Sequence, residues 1–144
     1  MTVRRLLIVA GSDSSAGAGI QADLKTAGAF GCYAQTAITA VTAQNTRGVT
    51  AIHLVPAEIV AAEIAACLSD IGADAIKIGM LGSAKIVKAV AQALRKRAKK
   101  IPVVLDPVMI STSGHRLLAE NAVAAMTKEL FPLATLVTPN IPEA

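Results

Sequence analysis

The chain has 144 residues, 53% of them hydrophobic and 17% charged, with a formal net charge of +4, enough for one compact domain and too little for two. A mean hydropathy of +0.56 is the reverse of the polar, charge-rich signature of disorder. Aromatics make up 2% while alanine fills 29 positions, so the core must be built from small and branched aliphatics, a composition suited to helices lying on a buried sheet.

Taken in chain order, Arg4 to Ala10 ends in an unbroken apolar run and stops at Gly11, the mark of a strand buried on both faces. A glycine- and serine-rich loop, Gly11 to Ala18, leads into a helix over Gly19–Phe30 with Ile20, Leu24 and Ala27 at helical spacing and Gly31 as its C-cap. Tyr33 to Val41 reads as a second strand and Thr50 to Leu54 as a short strand candidate. Pro56 opens a helix to about Asp70 with Ile59, Ile64 and Leu68 on one side. A strand over Ala73–Ile78 precedes a helix over Ser83–Arg97, with Ser83 as N-cap and Ile86, Val87, Val90 and Leu94 on one face. Ile101–Leu105 is a strand, Glu120–Phe131 a helix and Leu133–Val137 the last strand. Such alternation predicts βαβ units and a mostly parallel sheet, hence a three-layer α/β/α sandwich over residues 1–144. Pro139 to Ala144 resembles a loop entering a further helix, so the domain is expected to be incomplete at its C-terminal side.

Several functions are excluded or disfavoured. The uncharged stretch Thr26–Thr46 is interrupted by Gly, Gln, Asn and five Thr, a poor match for a bilayer span, and Leu6–Ala10 is too short for a secretory core. Cys32 and Cys67 lack any CxxC or histidine partner, which points to reduced thiols and a cytoplasmic setting. Five basic residues between Arg95 and Lys100 read as a solvated helix end, and with so few aromatics nucleic-acid binding is not expected. His53 and His115 read as structural or solvated.

In an open parallel sheet, ligands bind beyond the carboxyl ends of the strands. Those positions carry Gly11, Ser12 and Asp13, then Gln44 and Asn45, then Gly79 and Met80, then Asp106, then Asn140 and Glu143. Glycine, amide and carboxylate groups thus gather on one rim, a lining for a polar small molecule. The Gly11–Gly19 loop fits neither a GxGxxG nor a Walker A pattern, so alone it says little. Asp23, one turn into the first helix, can aim its carboxylate at the rim or simply sit at a helix N-terminus. Gln44 can donate and accept at once, as an aminopyrimidine or amide edge requires, or cap a loop. Met80 can lie against a heteroaromatic ring or belong to the core. Asp106 and the Asn140/Glu143 pair are oxygen groups of the kind that hold Mg2+, and each could equally be a cap. Lys77, within a buried strand, needs a partner or a route to the rim, and the sequence leaves both open.

The segment Gly11-Ser-Asp-Ser-Ser-Ala-Gly-Ala-Gly-Ile-Gln-Ala-Asp-Leu-Lys-Thr26 closely resembles the hydroxymethylpyrimidine and phosphomethylpyrimidine kinases of thiamine biosynthesis, within the ribokinase-like superfamily. Further matches follow at Thr39–Thr46, Lys77–Leu81, Val104–Met109 and Thr138–Ala144. The resemblance implies an ATP- and Mg2+-dependent kinase acting on a pyrimidine alcohol and then on its monophosphate. It implies that the Gly11 backbone, Asp23 and Gln44 hold the pyrimidine with Met80 and Val108 on its ring, and that Asp106, Asn140 and Glu143 serve Mg2+ and phosphates. A homodimer is typical of the family. Ala16 stands where glycine is common, and Thr112 where lysine is frequent. The family's anion hole, catalytic base and most of its nucleotide pocket would lie beyond Ala144, so no catalytic base is assigned to Cys32 or Cys67 and these residues alone are expected to be inactive. The alternatives are a pyridoxal or pyridoxine kinase, whose substrate is also a heteroaromatic bearing CH2OH, and a non-catalytic pyrimidine-binding fragment.

Overall fold

A computed structural model describes residues 2–109, 118, 120–141 and 143. The strands are β1 (Arg5–Asp13), β2 (Tyr33–Asn45), β3 (Gly48–Leu54), β4 (Ala75–Ile78), β5 (Val103–Leu105) and β6 (Leu136–Val137). The α-helices are α1 (Gly19–Ala29), α2 (Ala57–Asp70), α3 (Ala84–Arg97) and α4 (Glu120–Glu129), and a short 3-10 turn covers Phe131–Leu133. One six-stranded sheet runs in the order β3-β2-β1-β4-β5-β6. All neighbours are parallel except β2 and β3, which form an antiparallel hairpin.

The apolar run of β1 is buried on both faces as its composition demands, with Leu7, Ile8, Val9 and Ala10 fully inaccessible. Leu7 and Val9 face one side with Ile76, Ile78, Val103 and Leu105, packed under Val60 and Ile64 of α2, Val87, Val90 and Leu94 of α3, and Met126 of α4. Ile8 and Ala10 face the other side with Ala34 and Ile38, beneath Ile20 of α1. Helices therefore cover both faces, and the arrangement is the α/β/α sandwich the alternation predicts. The second face is covered less far: Val104 is half-buried and its register partner Leu136 is exposed.

The caps follow the sequence. Gly31 takes φ +68° and donates to the Gly28 carbonyl while Cys32 donates to that of Ala27, the paired bonds of a Schellman end. Ser83 Oγ accepts from the Ile86 N–H at 3.2 Å, and Arg95, Lys96 and Arg97 fill the last turn of α3, where the dipole favours cations.

Two expected core positions are corrected. Leu24 and Ile59 are exposed, because the buried stripes run through Ile20 and Ala27 on α1 and through Ala57, Val60 and Ile64 on α2. Strand limits also move: β1 continues to Asp13 and β2 to Asn45, pairing past a register shift at Gly11, while β6 is confined to two residues. Cys32 and Cys67 are free thiols, and His53 lies exposed on β3. His115 and Thr112 fall outside the described residues. Among the described residues, no helix is long and apolar enough to cross a membrane.

Candidate functional site

The carboxyl ends of β1, β4, β5 and β6 border a cleft of about 440 Å³ whose lining includes Gly11, Gln44, Met80, Asp106, Val108, Asn140 and Glu143. Residues separated by up to 132 positions are thereby brought together by strand order alone. Asp23 stands just behind this lining. Its carboxylate accepts from the Lys77 ammonium at 2.7 Å, and Lys77 itself lines the cleft. The lysine thus does both things the sequence left open: it reaches the rim and it pairs with an acid.

The first wall is the loop between β1 and α1. Asp13 is 3% exposed and accepts from Ser15 N and Oγ, Gly17 N and Ala18 N at 2.7–3.0 Å. Burial pushes its carboxyl up, but the hydrogen bonds from Ser15, Ala18 and Gly17 outweigh that and hold it below the ordinary aspartate value. Asp13 therefore organises the loop from within. Gln21 clamps the same segment, accepting from Asp13 N at 2.8 Å and donating to Ser12 Oγ at 2.7 Å. Gly19 has φ +57°, and a Cβ there would strike the Gly11 carbonyl oxygen, so the entry to α1 requires glycine. A Cβ on Gly11 would meet Met80 Cε at 2.7 Å, which shows how closely the thioether lies over that backbone.

The hairpin supplies the second wall. Ser14 Oγ donates to the Gln44 carbonyl at 2.7 Å and accepts from Gln44 N at 2.8 Å, fixing this residue to the loop. Thr42 Oγ1 lies 2.9 Å from the Ser12 carbonyl and 3.3 Å from Gln44 Oε1, so its single proton favours Ser12. Val49 and Ile52 of β3 add apolar lining. The Met80 carbonyl accepts from Thr39 Oγ1 at 2.6 Å, tying this strand end to β2.

Opposite lies the oxygen-rich side. Burial pushes the Asp106 carboxyl up; Lys77 opposes this, Glu143 and Asp23 reinforce it, and a hydrogen bond from the Val108 N–H lowers it again, with the net result above the ordinary value. Val108 holds φ +32°, an uncommon conformation for a β-branched residue and one that concentrates at functional sites. Glu143 accepts from Met109 N at 2.7 Å and from Asn140 N at 3.2 Å, while Asn140 Oδ1 accepts from Glu143 N at 3.0 Å. The Asn140/Glu143 exchange has the form of a capping box, so the cap reading open in the sequence is realised. Among the described residues, no group of three or more His, Cys, Asp or Glu converges as a metal cage.

Sequence reasoning missed the Lys77–Asp23 pair, the interior role of Asp13 and the lining by Val49 and Ile52. An aspartate followed two residues later by serine is an Asx-turn signal and could have revealed the second of these.

The model of the phosphomethylpyrimidine kinase family matches residues 13–144. The chain belongs to that family. It is 55% identical over 138 residues, 96% of its length, to the hydroxymethylpyrimidine/phosphomethylpyrimidine kinase of Rhizobium meliloti (strain 1021), of which it covers 51%. The crystal structure of phosphomethylpyrimidine kinase from Clostridium difficile 630 superposes with a TM-score of 0.90 at 48% identity, over 99% of this chain and 61% of that one. Pyridoxal kinase from Staphylococcus aureus in complex with pyridoxal superposes with a TM-score of 0.86 at 36% identity, over 99% and 52%. The chain spans about half the length of the curated relatives it matches. Membership in the family accounts for the ribokinase-like sandwich.

Proposed function

We propose that this chain is the alcohol-binding portion of one ribokinase-like domain, in a kinase that transfers phosphate from ATP to 4-amino-5-hydroxymethyl-2-methylpyrimidine and then to its monophosphate, on the route to thiamine diphosphate. The observation that carries this reading is the gathering of Gly11, Gln44, Met80 and Val108 with Asp106 and Glu143 around one cleft. In it, the Gly11 backbone, Gln44 and Asp23 hold the polar edge of the pyrimidine, Asp23 acting from behind Lys77, while Met80 and Val108 pack against the ring.

Asp106, Asn140 and Glu143 are the residues that would hold Mg2+ with the phosphates. The donor set fits: Mg2+ takes one or two carboxylates and keeps several waters, and Asp106 and Glu143 lie close enough to raise the proton affinity of the former. When bound, the ion supplies charge neutralisation for the phosphates. Both Glu143 oxygens already accept backbone N–H groups, which orients that carboxylate without any metal. The base that takes the alcohol proton and the donors that stabilise the transferring phosphoryl group are assigned to residues beyond Ala144. Neither Cys32 nor Cys67 lines the cleft, and burial first, then Glu63, pushes the Cys67 thiol up, which suits a structural thiol better than a nucleophile.

The proposed assembly is a homodimer in the cytoplasm, supported by exposed apolar side chains on both faces of the β2–β3 hairpin, Val41 on one and Leu54 on the other, and by two unpaired thiols. An assay of ADP release by the full-length protein with the pyrimidine alcohol, its monophosphate and pyridoxal tests the function. Turnover of both pyrimidines is expected, with none from residues 1–144 alone; a tenfold preference for pyridoxal in kcat/KM overturns it in favour of the pyridoxal reading.

A further inference from the structure

Lys77 is the one cation among the described residues lining the cleft. Its flanking register partners on the sheet are Ile8 and Val104, so the stem leaves an apolar surface and the ammonium must travel toward the strand end. It ends beside Gly79, where a Cβ would stand only 3.0 Å from Nζ, and it donates to Asp23 Oδ2 at 2.7 Å with both side chains 24% exposed. Asp23 from α1 is its direct partner, Asp106 after β5 is near enough to feel its charge, and Glu143 lines the same cleft. Asp13, the remaining acid of the lining, is engaged by the loop's own donors.

We infer that Lys77 is a positioning and specificity residue: it fixes Asp23 and offsets the carboxylates of the cleft, so that a substrate carrying a phosphomonoester is admitted alongside the neutral alcohol. This rests on the proposed kinase reading and deepens it. A phosphomonoester brings a charge of about −1.5 to −2, which Asp23 stripped of its ammonium partner would repel at short range even with Mg2+ offsetting Asp106 and Glu143. The neutral alcohol feels that field far less. Removing the ammonium therefore separates the two substrates, whereas a purely structural defect lowers both together.

The test uses the full-length protein at saturating ATP and Mg2+, comparing kcat/KM for the pyrimidine alcohol and its monophosphate. Lys77→Met is expected to lose about tenfold more on the monophosphate than on the alcohol, equivalent to about 1.4 kcal/mol, and Lys77→Arg to restore the wild-type ratio. Equal losses on both substrates, or an unrestored ratio in a Lys77→Arg protein of wild-type Tm, overturn the assignment. Asp23→Asn gives an independent arm should Lys77→Met not fold: with one acid fewer, the ratio is expected to move toward the monophosphate, and movement toward the alcohol overturns the inference. Wild-type protein that turns over neither pyrimidine speaks against the kinase reading itself, a result distinct from an unchanged ratio.

Discussion

The two faces of the sheet differ in kind. Under α2, α3 and α4 the strands present Leu7, Val9, Ile76, Ile78, Val103 and Leu105, all 0–3% exposed and uniformly apolar. On the opposite face, α1 covers Ile8 and Ala10, and the next position along the register is occupied by Lys77 bound to Asp23. One face is organised for stability through close packing. The other accepts a buried lysine stem and an ion pair near the rim, a costly choice unless the charges have a use. Residues one apart in β4 therefore serve different ends, which explains why the second face is where the chemistry reaches into the sheet.

The largest expected effect comes from breaking the packed face. Ile78→Ala removes a fully buried side chain and should cost about 2–5 kcal/mol in urea unfolding, against the adjacent Lys77→Met, whose main effect is on substrate discrimination. A loss below about 1 kcal/mol at Ile78 would mean the two faces are not organised differently. Next in size is Asp13→Ala, which strips the acceptor from four hydrogen bonds and should cost about 2 kcal/mol by leaving buried donors unmet. Because the Asp13 value is lowered on folding, its contribution is full above about pH 4, the unfolded range, and fades as pH falls through the lower folded value. The stability gap between wild type and Asp13→Ala should accordingly narrow on acidification; a gap that widens below pH 4 would show that the carboxylate is not the stabilising form.

How far the sequence could be read follows the same division. The packed face was legible because its signals are periodic: Ile86, Val87, Val90 and Leu94 recur at helical spacing and all are buried, and Ser83 caps where its chemistry allows. Leu24 and Ile59 misled because an alanine-rich helix can turn its small residues inward, leaving a larger one outside without disturbing the pattern. Gly11 to Asp13 reads as loop by composition, yet it continues β1 because β2 offers a ladder beyond the register shift, a case of tertiary context overriding propensity. At the rim, residue types and strand ends sufficed to single out Gln44, Met80, Asp106 and Asn140. The partner of Lys77 did not emerge, since Asp23 lies 54 positions away on a helix whose docking angle no local pattern encodes.

The smallest effect concerns a non-glycine residue held in the left-handed region. Ala16 sits at φ +63°, closing the turn in which its N–H donates to the Asp13 carbonyl at 3.0 Å. A left-handed alanine costs about 1–2 kcal/mol, while glycine there gains unfolded-state entropy worth about 0.4–1 kcal/mol. Strain relief and entropy loss oppose one another, and the first is somewhat larger. Ala16→Gly should therefore stabilise by about 0.5 kcal/mol, a rise of about 1–2 °C in Tm for a chain of this size, with substrate discrimination unchanged. A fall in Tm on calorimetry would instead mean that the Asp13 hydrogen bonds already hold the loop so firmly that the alanine's restriction of the unfolded chain outweighs its strain.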